Sequence, residues 1–197
     1  MYCKLINKPT LEFIDSGVGM CYDKGSYGTD NQKGLDRIDR VCNKLQHDSM
    51  LRFATYIFEV DLSTSSLLEH TRHSTGVDYA VRSTRYVTKQ NPDNIKIQLS
   101  NNEIVNQMLN RHIEEIKELI KDNPSFANDD LKLLLPQAYI YRMQVIFNAQ
   151  SLKHFLRLRT ARSSHYHIRA LAKAMFNEVP DDHKFLFEDA ISKDSIC

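Results

Sequence analysis

The hydrophobic pattern picks out two strong strands and several helices. Over FATYIFEVDL (53–62), Ala54, Tyr56, Phe58 and Val60 alternate with Thr55, Ile57, Glu59 and Asp61. That is the period of two expected of a strand with one buried face. The run AYIYRMQVIFNA (138–149) is as rich in aromatic and β-branched residues and predicts a second strand. Residues 2–7 predict a short strand. The polar, glycine-bearing segment STGVDYAVRSTRYV predicts an ordered loop leading into another.

Helical spacing dominates the rest. Residues 9–22 are weakly helical, and a loop from Lys24 to Gly34 follows. Leu35, Ile38, Val41, Cys42 and Leu45 then recur at intervals of three and four, predicting a helix that ends near His47. Asp61 or Ser63 can cap a helix through SSLLEHTRH, and Asn91-Pro92-Asp93 marks a turn. The clearest amphipathic helix spans 101–122, with Ile104, Met108, His112, Ile116 and Leu119 on one stripe. Asn123-Pro124 stops it, and a shorter helix runs to Leu135 before Pro136. SLKHFLRLR offers Leu152, Phe155, Leu156 and Leu158 to a core. Residues 164–177 carry Ile168, Leu171, Ala172, Met175 and Phe176, and HKFLFEDAI starts a last helix after Val179-Pro180. With no internal repeat or low-complexity linker, the pattern predicts one α+β domain over residues 1–197. Its long helices pack on a small, mostly antiparallel sheet.

Composition narrows the function. In 197 residues, 26 Lys+Arg face 25 Asp+Glu, a net charge of +1, so a protein that coats nucleic acid is disfavoured. No run approaches the ~20 apolar residues of a membrane span, and MYCKLINKPTLEF lacks an apolar stretch of signal-peptide length. Cys3, Cys21, Cys42 and Cys197 form no CxxC pair, so free, buried thiols in a reducing cytoplasm are the expectation.

Three segments hold more polar chemistry than folding requires. His47-Asp48-Ser49 lies at a helix-to-strand junction and reads equally as a helix end and turn. EHTRHSTGVDYAVRSTRY (69–86) brings arginines, histidines and hydroxyls together, as a phosphate site would, although a solvated charged loop fits too. His70 and His73 lack the further Cys or carboxylate that a metal site needs, so no metal is expected. In NAQSLKHFLRLRTARSSHYH (148–167), Arg157 and Arg159 are two positions apart and cannot share a helix face. One of them should point inward or toward a partner chain, where it needs an anion: a carboxylate or a ligand.

At these residues the sequence resembles the flavin-dependent thymidylate synthases (ThyX type). The family run RHR, spacer, S-x-R-Y corresponds to Arg72-His73-Ser74 and Ser83-Thr84-Arg85-Tyr86. His47 and Ser49 ahead of FATYIFEV fit its upstream pattern. Leu135-Pro136, Asn148-Ala149-Gln150-Ser151-Leu152 and His154-Phe155-Leu156-Arg157-Leu158-Arg159 match LP…N-A-R-S-L…N-F-L-x-L-R. HKFLFED resembles the C-terminal helix of short bacterial members.

The resemblance implies methylation of dUMP to dTMP with methylenetetrahydrofolate as carbon donor, FAD as cofactor and NADPH as reductant. It also implies a homotetramer whose active sites form between subunits. By the same likeness, dUMP would be held by Glu69, Arg72, Arg82, Ser83, Thr84, Arg85, Lys132 and Arg159, with Arg159 the catalytic residue. FAD would lie against His47, Ser49, Arg72, His73, Ser74, Asn148, Gln150, His154 and Leu158.

The chain departs from the family pattern at several points. Ser74 replaces the last arginine of RHR, Arg52 stands where a glutamate is common and Phe53 where a histidine is common. Gln150 replaces an arginine and His154 an asparagine, and the Arg72–Arg85 spacer is one residue longer. These changes fall on the FAD and folate side. A divergent member making another 5-substituted deoxyuridylate, such as 5-hydroxymethyl-dUMP, or a non-catalytic nucleotide-binding module, are therefore the alternative readings.

Overall fold

The structure, a computed structural model, describes residues 1–84 and 90–192. The strands β1 (Cys3–Leu5), β2 (Thr55–Ser63), β3 (Val77–Val81) and β4 (Ile140–Asn148) form one antiparallel sheet in the order β1-β2-β4-β3. Its register sets Tyr56 against Phe147, Phe58 against Val145 and Val60 against Met143, so the period-two pattern of both central strands places these rings and branched chains on one face.

Helices α1 (Glu12–Cys21), α2 (Gln32–Ile38), α6 (Ala149–Arg159) and α7 (Tyr166–Glu178) contribute Ile14, Val18, Ile38, Leu152, Phe155, Leu171 and Met175 to the same main core. A separate small cluster joins α4 (Glu103–Asp122) to α5 (Asn128–Leu134) through Ile113, Ile116, Ile120 and Leu131. The α+β architecture read from the sequence is the one observed.

Local chemistry explains where helices start. Of the two cap candidates for α3 (Thr64–His70), Ser63 does the work: its side chain accepts from the Ser66 N–H at 3.3 Å. Asn148 likewise caps α6, accepting from the Ser151 N–H at 2.8 Å.

Four expectations need correction. The α4 stripe is shifted: Ile113, Ile116 and Ile120 are buried, while Ile104 and Met108 are 69% and 64% exposed. Apolar residues occupy two faces of that helix, and only the C-terminal half meets α5, so periodicity alone gave the wrong phase. The helix expected from Leu35 starts at Gln32, because the Asn31 side chain accepts from the Gly34 N–H; from Asp39 to Lys44 it widens into π-type turns. The last helix is instead two 3-10 segments, Asp181–Leu186 and Glu188–Ala190, split where Phe187 (φ −123°) leaves the helical region. Of the thiols, Cys42 is buried and Cys3 half-buried, but Cys21 is exposed; Cys197 lies outside the described residues.

Candidate active site

Helix α6 supplies one wall of the candidate site. Ala149, Leu152, Phe155 and Leu156 enter the core, which turns Gln150, Lys153, His154 and Arg157 to the opposite side at intervals of three and four. The loop after α3 supplies the facing wall with Arg72, His73, Ser74 and Thr75. Together with Asp48, Val77 and Ser151 they line a cavity of about 330 Å³.

Two contacts hold the loop against the α6 N-terminus. Ser151 Oγ donates to the Thr75 carbonyl (2.6 Å), and the Asn148 N–H donates to the Gly76 carbonyl (3.1 Å). Gly76 has φ +65°, and a Cβ there would overlap Asn148 Nδ2 and lie 2.6 Å from Ser151 Oγ. Gly76→Ala is expected to cost about 1–3 kcal/mol and to displace Ser74 and Thr75 from the cavity. Thermal unfolding against the parent protein checks the first effect. An unchanged melting temperature would mean the loop relaxes freely.

Arg159, the last residue of α6, is the inward-facing arginine. Its NH1 donates to Glu69 Oε2 (2.9 Å), NH2 to the Glu69 carbonyl (3.1 Å) and Nε to His73 Nε2 (3.0 Å). Arg157 is half-exposed, with Asp189 at 4.0 Å. The anion that an inward arginine requires is therefore a carboxylate 90 positions away in sequence. Because Arg159 donates to Nε2, the neutral His73 ring carries its proton on Nδ1. Burial, followed by the Arg159 and His154 charges, pushes the His73 pKa down to about 4, so that neutral form persists through mildly acidic pH.

His70 lies beside this network, 0% exposed, with ring centroids 5.2 Å from Phe155 and 5.5 Å from Phe147. Neither of its nitrogens has a hydrogen-bond partner among the described residues. Desolvation first, then the His73 and Arg159 charges, lowers its pKa from 6.5 to about 4. An unfolded chain therefore binds protons that the folded chain refuses, and stability drains away as pH falls from about 6.5 toward 4. His70→Leu should flatten the pH dependence of the urea midpoint across that window. An undiminished slope would exonerate His70.

The departures from the family pattern meet one another. Arg52 Nε donates to Gln150 Oε1 (2.6 Å), and Gln150 Nε2 donates to Asp48 Oδ1 (2.8 Å). Where the pattern has a glutamate and an arginine, this chain has an arginine and a glutamine. In this chain a polar link thus runs from Arg52 through Gln150 to Asp48 at the cavity rim. Lys153 is spent elsewhere: its ammonium is buried on Asn43 Oδ1 (2.8 Å) and Asp189 (2.9 Å). The cavity wall thus offers Arg72 and Arg157 as cations, with hydroxyls at Ser74, Thr75 and Ser151.

A family model for thymidylate synthase complementing proteins (Thy1) matches residues 10–183. The chain belongs to this family. Two Thy1-type relatives are flavin-dependent thymidylate synthases. That of Campylobacter jejuni (strain RM1221) is 34% identical over 186 residues, covering 88% of this chain and 87% of the relative. That of Helicobacter pylori (strain 26695) is 29% identical over 198 residues, covering 92% and 94%. The crystal structure of thymidylate synthase X (ThyX) from Helicobacter pylori with FAD and dUMP superposes with a TM-score of 0.89 at 26% identity, covering 98% of this chain and 99% of that one.

Within this Thy1 fold the expected residues are not all brought together. Arg72, His73, Ser74, Gln150 and His154 line the cavity, and Glu69 and Arg159 stand directly behind His73. Asn148 acts through its cap on α6. His47 and Ser49 line a neighbouring hollow of about 510 Å³ that shares Asp48 with the cavity. Leu158 is 46% exposed and outside both the core and the cavity, so its expected core role is corrected.

Arg82, Ser83 and the buried Thr84 follow the far end of β3. Five residues of strand, roughly 16 Å at 3.3 Å per residue, separate them from the Gly76 end. Lys132 is exposed on α5, away from the cavity, and Arg85 lies outside the described residues. Sequence reasoning missed Asp48, Thr75, Ser151, Lys153 and Arg157 as lining residues. Counting three and seven on from Gln150 along α6 would have found Lys153 and Arg157.

Proposed function

We propose that the protein is a flavin-dependent thymidylate synthase that methylates dUMP to dTMP, with methylenetetrahydrofolate as carbon donor, NADPH as reductant and FAD as bound cofactor. The observation that carries this reading, in a Thy1 chain, is Arg159 fixed by Glu69 and His73 behind a cavity of guanidinium and hydroxyl groups. The donor set fits FAD: Arg72, Arg157, Ser74 and Thr75 suit a pyrophosphate, and His73 and His154 suit the polar edge of a ring system. When bound and reduced by NADPH, the flavin would supply the hydride that the transferred carbon needs to become a methyl group.

The chain's own residues bind and orient. Arg159 is placed to stabilise negative charge developing on the pyrimidine, and Glu69 holds its guanidinium at a fixed angle. His73, locked as the Nδ1–H tautomer by Arg159, offers a hydrogen-bond donor and no positive charge. Ser83, Thr84 and Arg85, with Arg82 and Lys132, hold the dUMP phosphate.

Ser83 and Thr84 follow the far end of β3, roughly 16 Å of strand from the Gly76 end that meets the cavity, which supports active sites completed by a second subunit in a homotetramer. The 330 Å³ cavity is likewise too small to enclose a whole dinucleotide, as expected if a neighbour closes it. No described helix is long and apolar enough to cross a membrane, and we place the enzyme in the reducing cytoplasm.

The purified protein should be yellow, or become so with added FAD, and the absorption should bleach with NADPH. Mass spectrometry should find dTMP from dUMP and the folate. A hydroxymethyl product would give the reading to the divergent alternative, and a protein that never takes up flavin would overturn it.

A further inference from the structure

The connection between α1 and α2 is built more heavily than a surface loop needs. Asp15 is fully buried on α1, and its Oδ2 accepts from Ser26 Oγ (2.7 Å), the Tyr27 N–H (2.7 Å) and the Gly28 N–H (3.2 Å). Arg37 on α2 donates from Nε to Asp15 Oδ1 (2.7 Å) and from its other nitrogens to the Gly25 and Asp15 carbonyls (3.1 and 2.9 Å). Gly34 presses so closely that a Cβ there would overlap the Gly28 carbonyl oxygen.

What this frame presents is a groove of about 490 Å³ lined by Tyr22, Lys24, Tyr27, Lys33, Asp36 and Arg40. The Arg37 guanidinium sits 4.1 Å from the centroid of the Tyr27 ring, yet that ring is 46% exposed, and Tyr22 is 45% exposed. The side chains of Lys24, Lys33 and Arg40 make no ion pair or hydrogen bond with any described residue, whereas Arg37, at the same groove, is neutralised by Asp15. Asp36 is steadied by Gln32 Nε2 at 2.8 Å. Tyr22 also lines the hollow around His47, which in turn shares Asp48 with the candidate active site.

We propose that this groove is a second nucleotide site, taking the base, ribose and phosphates of a nucleoside diphosphate. Three unpartnered cations in one groove suit a polyphosphate, and the Tyr27 ring, held by its backbone bond to Asp15 and by Arg37, suits a base, with the exposed Tyr22 ring beside it. A carboxylate among the cations would repel phosphate but accepts hydrogen bonds from ribose hydroxyls. A polycarboxylate, such as a chain of glutamates, would use the cations and leave the two rings idle. A merely solvated basic face would need neither the rings nor the buried ion pair that anchors Tyr27. The site does not depend on the proposed methyl transfer, because none of its residues belongs to that machinery. The ligand could be a free nucleotide or the ADP half of a dinucleotide; the chemistry recognised is the same.

Calorimetry on the full chain, with and without FAD, tests this using ADP, NADP⁺ and inorganic pyrophosphate. ADP should bind with a dissociation constant below about 1 mM, and Lys33→Glu with Arg40→Glu should weaken it at least about tenfold. Tyr22→Ala should weaken ADP but leave pyrophosphate unchanged. Tighter binding of NADP⁺ than ADP identifies a dinucleotide as the source, and the reverse identifies a free nucleotide; both uphold the site. dUMP binding, measured on the same variants, should not change, so failure here is distinguishable from failure of the proposed activity. No ADP binding, insensitivity to charge reversal, pyrophosphate binding as tightly as ADP, or loss of ADP binding on loading FAD would each overturn the proposal.

Discussion

Replacing Arg159 with alanine is expected to lower the turnover number for dTMP formation by about 10²–10³-fold, the usual cost of deleting one preorganised donor to developing negative charge. The size follows from how the guanidinium is held. Three contacts at 2.9–3.1 Å, to the Glu69 carboxylate, its carbonyl and His73 Nε2, fix the fork before any substrate arrives. Little reorganisation is left for the reaction itself. Arg159→Lys should recover little, because a single ammonium cannot satisfy Glu69 and His73 together.

The fold should survive the change, since Arg159 ends α6 and the core contacts of that helix are made by Leu152, Phe155 and Leu156. Steady-state kinetics alongside circular dichroism separates the two effects. Turnover within threefold of the parent would remove Arg159 from the chemistry. Glu69→Gln should act more mildly, keeping an acceptor for NH1 but losing the charge that orients it.

The largest stability effect should come from Asp15→Ala. The ion pair with Arg37 is buried on both sides, with side-chain exposures of 0% for Asp15 and 7% for Arg37. Removing one partner leaves an almost wholly buried guanidinium without its counter-charge, at a cost of about 3–5 kcal/mol. For a chain of this size that corresponds to a fall in Tm of roughly 10 °C or more. The double variant Asp15→Leu with Arg37→Met should recover most of the loss, because apolar groups of similar volume need no solvation. A single-variant loss under 1 kcal/mol would mean that the pair is hydrated.

Acid should act on the same pair. Burial raises the Asp15 pKa, but hydrogen bonds from Ser26, Arg37 and Tyr27 outweigh it and hold the carboxyl below its ordinary 3.8. The stability this contributes is complete above the unfolded value and is lost as pH falls through the lower folded one. That window lies below the His70 window, so the two can be resolved in a pH series.

Much of this was legible in the residues. Alternation along FATYIFEV and AYIYRMQVIFNA placed the two central strands, because a half-buried strand can satisfy its pleat in only one way. The apolar positions of α6 gave its core face except at Leu158, which lies four positions on from the exposed His154 and shares its outward face. The motif residues Arg72, His73, Ser74, Gln150 and His154 stand out in the sequence, and all reach one cavity. The phase of α4 was not legible, because its apolar residues allow two stripes and only packing against Ile95, Leu131 and Tyr139 selects between them.

The sequence by itself determined the local facts about this protein: which segments pleat or coil, where Ser63 and Asn148 start helices, and that one of Arg157 and Arg159 must find an anion. Tertiary structure decided which of them does so, because Glu69 reaches Arg159 from 90 positions away and no local pattern encodes that meeting. It also decided that Arg52, Gln150 and Asp48 form one polar chain, and that His70 is enclosed by Phe147 and Phe155 and so kept neutral. Charge chemistry is written in residue type. Its strength and direction depend on burial and on partners, and only the folded chain supplies those.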